Sequence, residues 1–139
     1  MTRKSAIEDV ALGLFASEGF EAASLGKIAE AVGIRKPSIY AHFRSKEDLF
    51  LHVFKQSLRR KRHMLLRHIL EDRDRPFEEI FLTLTERLMH DYESDAQTRF
   101  LLRMSYFPPS SLHDPVMELM GPFFTKAEQL LTSLLEKPP

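Results

Sequence analysis

The chain has 139 residues, 43% hydrophobic and 29% charged, with no cysteine and a formal net charge of zero. That composition is of an ordinary globular chain with a real core, one domain or two small ones, and not of a disordered one; the lack of cysteine excludes a disulfide scaffold and any thiolate metal site. The zero is a cancellation: Met1 to His68 carry 13 Lys and Arg against 7 acids, and Ile69 to Pro139 carry 7 against 13, so the first half suits phosphates and the second is repelled by them.

The first predicted helix has the stripe Ile7, Val10, Ala11, Leu14 and Phe15, and it ends at Gly19 with Phe20 behind it. Ser24 then stands where an N-cap belongs, ahead of Leu25, Ile28, Ala29 and Val32 at i, i+3, i+4 and i+7. Gly33 can take the left-handed conformation that a short turn needs, and Ile34 returns to the core. Pro37 fits the first turn of a third helix. Ile39 and Phe43 of that helix face inward, which leaves Lys36, Ser38, Tyr40 and Ala41 outside. Two short helices about a tight turn are how a chain presents one helix to the DNA major groove.

Ser45-Lys46-Glu47-Asp48 is a capping-box-like start to a fourth helix, whose stripe opens with Leu49, Phe50, Val53 and Phe54. No Gly or Pro interrupts it before about Glu71, so it would span roughly 35 to 40 Å and act as a lever between two parts of the molecule. Arg73-Asp74-Arg75-Pro76 breaks the pattern, and the next helix carries Phe77, Ile80, Phe81, Leu84, Leu88 and Tyr92 on one face. A shorter apolar segment runs from Phe100 to Phe107, and Pro108-Pro109-Ser110-Ser111 is a loop. Asp114-Pro115 starts a last helix with Val116, Leu119, Met120, Phe123, Phe124, Ala127, Leu130, Leu131 and Leu134, which Gly121-Pro122 is expected to kink or break. There is no repeat, no low-complexity tract and no β-type alternation; the predicted fold class is all-α.

The helix and turn Ile28-Ala29-Glu30-Ala31-Val32-Gly33-Ile34, followed by Ser38-Ile39-Tyr40-Ala41-His42-Phe43 and Lys46-Glu47-Asp48-Leu49, resembles the DNA-binding domain of the TetR/AcrR family of bacterial transcriptional regulators. The match covers the first 50 residues or so. It implies a helix-turn-helix DNA-binding domain over 1–45 and a helical regulatory domain over 46–139, with 46–71 as the connecting helix. The implied function is a sequence-specific transcriptional regulator, a repressor of double-stranded DNA released by a small apolar or aromatic ligand and acting as a homodimer. By position, Lys36 and Ser38 reach base edges or phosphates and Pro37 offers an apolar contact to a thymine methyl. The resemblance places Tyr40, His42 and Lys46 on the DNA backbone. The Ser24 hydroxyl and first-turn amides form an anion site. Where relatives often have a larger side chain, this chain has Ala41, so direct readout is expected to be thin and to rest on Arg35 and Lys36. Each of these residues also has a plain structural reading: Tyr40 and His42 can simply cover the small core, and Ser24 and Lys46 can simply cap helices.

The resemblance further implies an effector cavity among the C-terminal helices, with Phe81, Phe100, Met104, Phe107, Met120 and Phe124 as candidate lining; plain core packing explains the same spacing. Arg59-Arg60-Lys61-Arg62 lies too far along the fourth helix to share the groove contact, and such runs are commonly solvated faces. None of the six histidines, His42, His52, His63, His68, His90 and His113, forms a metal-type pair, and no Gly-rich phosphate loop or nucleophile elbow is present. No cofactor, metal or enzymatic activity is expected. Without a signal-peptide core or a membrane-length apolar stretch, a cytoplasmic location and no membrane partner are expected. Readings from other classes are a helical interaction module, such as a shortened paralogue that sequesters a related regulator, and, further off, an all-α enzyme. Family members usually carry two more helices beyond the one that here ends at Glu136-Lys137-Pro138-Pro139. The expectation is therefore a shortened or fragmentary form of a dimeric regulator, or a dimer through Phe123, Phe124, Leu130, Leu131 and Leu134.

Overall fold

Helix ends in this chain are fixed by short polar side chains and two glycines. In the computed structural model, which describes residues 2–136, the elements are α1 (Arg3–Glu18), α2 (Leu25–Val32), α3 (Lys36–Ile39), α4 (Lys46–Glu71), α5 (Phe77–Ser94), α6 (Ala96–Tyr106), a 3-10 turn (Ser110–Leu112) and α7 (His113–Leu135). Thr2 and Ser5 cap α1 reciprocally, the Thr2 hydroxyl accepting from the Ser5 N–H at 3.1 Å and the Ser5 hydroxyl from the Thr2 N–H at 3.0 Å. Ser24 and Ser45 accept from Lys27 N–H and Asp48 N–H at the starts of α2 and α4. The Asp48 carboxylate does not close a box on Ser45; it accepts from the Arg44 N–H at 2.9 Å.

The core runs without interruption across the boundary expected at residues 45 and 46. Ile7, Ala11 and Phe15 of α1, Ile28 of α2, Ile39 and Phe43 around α3, and Leu49, Phe50 and Phe54 of α4 join Phe100, Leu101 and Met104 of α6 and Val116 and Met120 of α7 in one buried cluster. Its centre is aromatic. Phe100 sits 6.1 Å from Phe15, 5.3 Å from Phe50 and 6.1 Å from Phe54, ring centre to ring centre, and Phe15 and Phe50 are 5.4 Å apart. Offset and edge-on pairs at these separations favour one another beyond their buried area. The Arg103 guanidinium adds a bond to the Ala16 carbonyl at 3.2 Å, so α6 grips the C-terminal turn of α1 by packing and by a hydrogen bond.

Three expectations are corrected. The helix after Gly33 is only four residues long, and the chain continues to Phe43 as turns, with His42 and Phe43 both donating to the Ile39 carbonyl. The last helix is not broken at Gly121-Pro122; α7 is continuous through Pro122. Proline orphans the carbonyl four residues back, that of Glu118, but Glu118, Gly121 and Pro122 are all on the exposed face, where the acceptor is open to solvent. The face expected of α5 is only partly covered. Ile80 is buried, whereas Phe81 is 51% exposed and Tyr92 is also exposed. Lys137 to Pro139, expected to follow the last helix, lie outside the described residues, as does Met1.

Candidate nucleic-acid interface and ligand cavity

Gly33 is the pivot of the N-terminal motif. It closes α2 at φ +83°, its N–H donating to the Ala29 carbonyl at 2.9 Å, and the Ile34 N–H reaches the same acceptor at 3.0 Å. An L side chain avoids that conformation, so glycine at this point is what lets the chain reverse in three residues. Pro37 occupies the first turn of α3, where no amide partner is lost. Ile39 and Phe43, both buried, anchor the segment from beneath. Arg35, Lys36, Pro37, Tyr40, Ala41 and His42 are consequently exposed along one edge, with Ser38 half-buried among them. Ser24 is also exposed, and its oxygen is engaged as the cap of α2.

Lys46 stands apart from this edge. Its ammonium donates to the Phe20 carbonyl at 2.6 Å and lies 4.0 Å over the Phe20 ring, tying α4 to the turn after α1. That is a structural job, and it leaves the remaining ammonium protons for any outside acceptor. Sequence reasoning missed Lys4, whose ammonium lies 5.6 Å over the Phe43 ring, and His52, stacked edge-on against the same ring at 5.4 Å. Lys4 adds a cation to the surface beside His42. Nothing in their helical spacing marks them, because the contact joins three separate elements.

Two hollows lie among α4 to α7. The smaller, about 300 Å³, is lined by Phe81, Met120 and Phe124, and also by Leu65, Leu88, Leu101 and Leu102. The larger, about 540 Å³, lies between α4 and α7 with Leu84 of α5 and includes Phe124. Phe100, Met104 and Phe107 line neither. Phe100 and Met104 belong to the core against α1 and α4, and Phe107, past the end of α6, is 83% exposed. Helical spacing marks a residue as inward-facing but does not say which neighbour it meets.

At the floor of the smaller hollow, Lys61 departs from the solvated face expected of the 59–62 run. It is 12% exposed, pairs with Asp91 of α5 at 2.9 Å and donates to Thr98 of α6 at 3.3 Å. The Thr98 hydroxyl in turn donates to Asp95, the cap of α6, at 2.7 Å. The Lys61 hydrogen bond and charge, with smaller contributions from His90 and His68, hold the Asp91 carboxyl below its ordinary value against the opposing effect of burial. Among the described residues no cluster of His, Asp and Glu could hold a metal, and no helix is long and apolar enough to cross a membrane.

A three-helix head with an exposed basic edge at its turn, continuous through α4 with a helical body, has the geometry by which a helix-turn-helix presents one helix outward. Residues 7–53 match the family model described as bacterial regulatory proteins, tetR family. The HTH-type transcriptional regulator AcrR of Shigella flexneri is 47% identical over 51 residues, 37% of this chain and 24% of that protein. An HTH-type transcriptional regulator of Staphylococcus aureus strain USA300 is 30% identical over 89 residues, 64% of this chain and 37% of that protein. The fold is that of the fatty acid degradation regulator FadR from Bacillus halodurans, with a TM-score of 0.78 at 21% identity over 96% of this chain and 68% of that one. Over residues 7–53 the N-terminal head is similar to the DNA-binding domain of the TetR/AcrR family of bacterial transcriptional regulators. The chain spans 24% and 37% of the length of those two curated relatives.

Proposed function

We propose that this chain is a sequence-specific DNA-binding regulator, a repressor released by a small molecule, with residues 1–45 as the DNA module and 46–139 as the regulatory part. The observation that carries the reading is the exposed edge from Arg35 to His42, held by a left-handed Gly33 and a buried Ile39 and Phe43. Arg35 and Lys36 enter the groove. Ser24, Tyr40 and His42 hold phosphates, and Lys4 joins them. One such head spans few base pairs, so the functional unit is a homodimer that reads two half-sites.

Release follows from how the two parts share a core. Phe100 and Arg103 of α6 bear directly on Phe15 and Ala16 of α1, and α4 is common to both parts. A molecule bound among α4 to α7 that favours a different placement of α6 or α4 displaces α1 and α3 with it, and ligand and DNA then oppose each other through one conformational equilibrium. The test is selection of bound duplexes from a random pool. Enrichment of a short half-site, with binding that weakens steeply as salt rises, is the expected result. No enrichment together with salt-independent retention would overturn the reading.

A further inference from the structure

We propose that the larger hollow, between α4 and α7, takes a single-chain amphiphile with an anionic head, the head against Arg59, Arg62 and Lys126 and the chain among the apolar side chains behind them. This rests on the reading of α4 to α7 as the effector-binding part and specifies the ligand's chemistry.

The hollow is lined by Arg59, Arg62, His63 and Lys126, and by no aspartate or glutamate. Lys126 comes from the half of the chain in which acids outnumber bases by 13 to 7, so the exclusion of acids here runs against the local composition. Among the described residues Arg59, Arg62 and Lys126 make no ion pair, in contrast to Lys61 in the same run, which turns away to Asp91. Three cations of one site thus lack an acidic partner.

Their backing is apolar. Behind the cations lie Leu65, Leu66, Ile69, Leu130 and Leu131, and the walls at Leu65, Leu84, Phe123, Phe124 and Leu131 are shared with the smaller hollow. The two hollows therefore adjoin at these side chains. Nucleic acid accounts for these cations poorly. Arg59 is about 21 Å along α4 from Ser45, beyond the reach of a groove contact made by α3, and a phosphate backbone has no use for an apolar hollow. A neutral aromatic ligand leaves the cations unpaired, and a cationic one is repelled. A carboxylate or phosphate ester on an acyl chain matches both parts of the site.

The probe is dodecanoate, titrated into the full chain below its self-association concentration and compared with dodecanol and dodecyltrimethylammonium, with calorimetry as the readout. Saturable binding of dodecanoate at one site is expected, about tenfold or more tighter than dodecanol, as one charge-assisted contact implies, and without measurable binding of the ammonium. Replacing Arg62→Gln or Lys126→Gln should weaken dodecanoate by about tenfold each and leave dodecanol unchanged. Both positions are exposed, so both variants should melt near the parent. Equal affinity for all three probes, or substitutions without effect, would overturn the proposal. So would a dimerisation abolished by the same substitutions in a chain that takes no amphiphile, since the hollow would then belong to a second copy. No DNA enters this titration, so its failure leaves the DNA reading standing, and failure of the duplex selection leaves this result to be judged by itself.

Discussion

Gly33 is the residue on which the DNA head turns, and its surroundings allow the reason to be isolated. A Cβ built there meets nothing within 4 Å, so a substitution costs conformation and not space. Gly33→Ala should therefore destabilise by about 1–2 kcal/mol, the usual penalty for an L residue held left-handed, and Gly33→Val by more. Gly33→Asn should cost least, because asparagine tolerates that region. Equal melting temperatures across the three would show that the turn does not need positive φ. Lys36, the first residue of α3, separates two kinds of contact. If it reads a base, Lys36→Ala costs about 1–3 kcal/mol on the preferred site and relaxes the preference at one or two positions. If it holds a phosphate, all sequences weaken alike and the salt slope falls by about one. Both outcomes are read from the same binding isotherms at two salt concentrations.

Between elements, the latch of Lys61 to Asp91 joins α4 to α5, and Thr98 brings in α6. The folded-state value of Asp91 is depressed, so the stabilisation is fully present above the unfolded value of about 3.9 and is lost as pH falls through the folded value. Asp91→Asn should lower stability near neutral pH by about 1–3 kcal/mol, as loss of a charged hydrogen bond implies, and the gap to the parent should close in strong acid. A gap independent of pH between 2 and 7, measured by urea melts as about six points on that scale, would show that the carboxylate charge is not the cause. Phe100 makes the corresponding joint between α6 and the head. Phe100→Ala should cost about 3–5 kcal/mol, whereas Phe100→Leu should keep most of the stability and loosen the contact with Phe15 and Phe50. If ligand release is transmitted through this joint, the leucine variant binds DNA but responds less to ligand. Its undiminished response would place the coupling in α4 alone. The caps at Ser24 and Ser45 and the turn at Gly33 were legible in the sequence because each is written within a few neighbouring residues, whereas the caps at Thr2 and Asp95 and the shortness of α3 were not. The destinations of Phe100, Met104 and Lys61 were not. Each has an inward position with two or more candidate partners, and the choice among them depends on how α6 lies across α1 and α4, which local periodicity does not encode.

At the scale of the molecule, the two halves finish their surfaces differently. Around the head, large apolar side chains are buried or half-buried except Tyr40, whereas the body exposes Phe81, Leu82, Met89, Tyr106, Phe107, Phe124 and Leu135. Exposed apolar side chains in that number suit an association face more than a free monomer. The expected dimer surface on α7 needs revision in the same light. Phe123, Leu130 and Leu131 line the hollows and are half-buried, so of the residues assigned to pairing Phe124 is the one left largely exposed, and the apolar exposure extends instead onto α5 and the end of α6. The consequence for DNA is quantitative. A single head should hold mostly phosphates, with the weak affinity and steep salt dependence of nonspecific binding, and only two heads fixed at one helical repeat or a multiple of it gain specificity from a palindrome. Sedimentation at micromolar concentration should therefore find a dimer, and a charged substitution on the exposed face, Met89→Glu or Leu82→Glu, should shift it toward monomer and lower affinity for a two-half-site duplex far more than for a single half-site. A clean monomer that binds a palindrome tightly, one chain per half-site and without cooperativity, would contradict this account of the assembly.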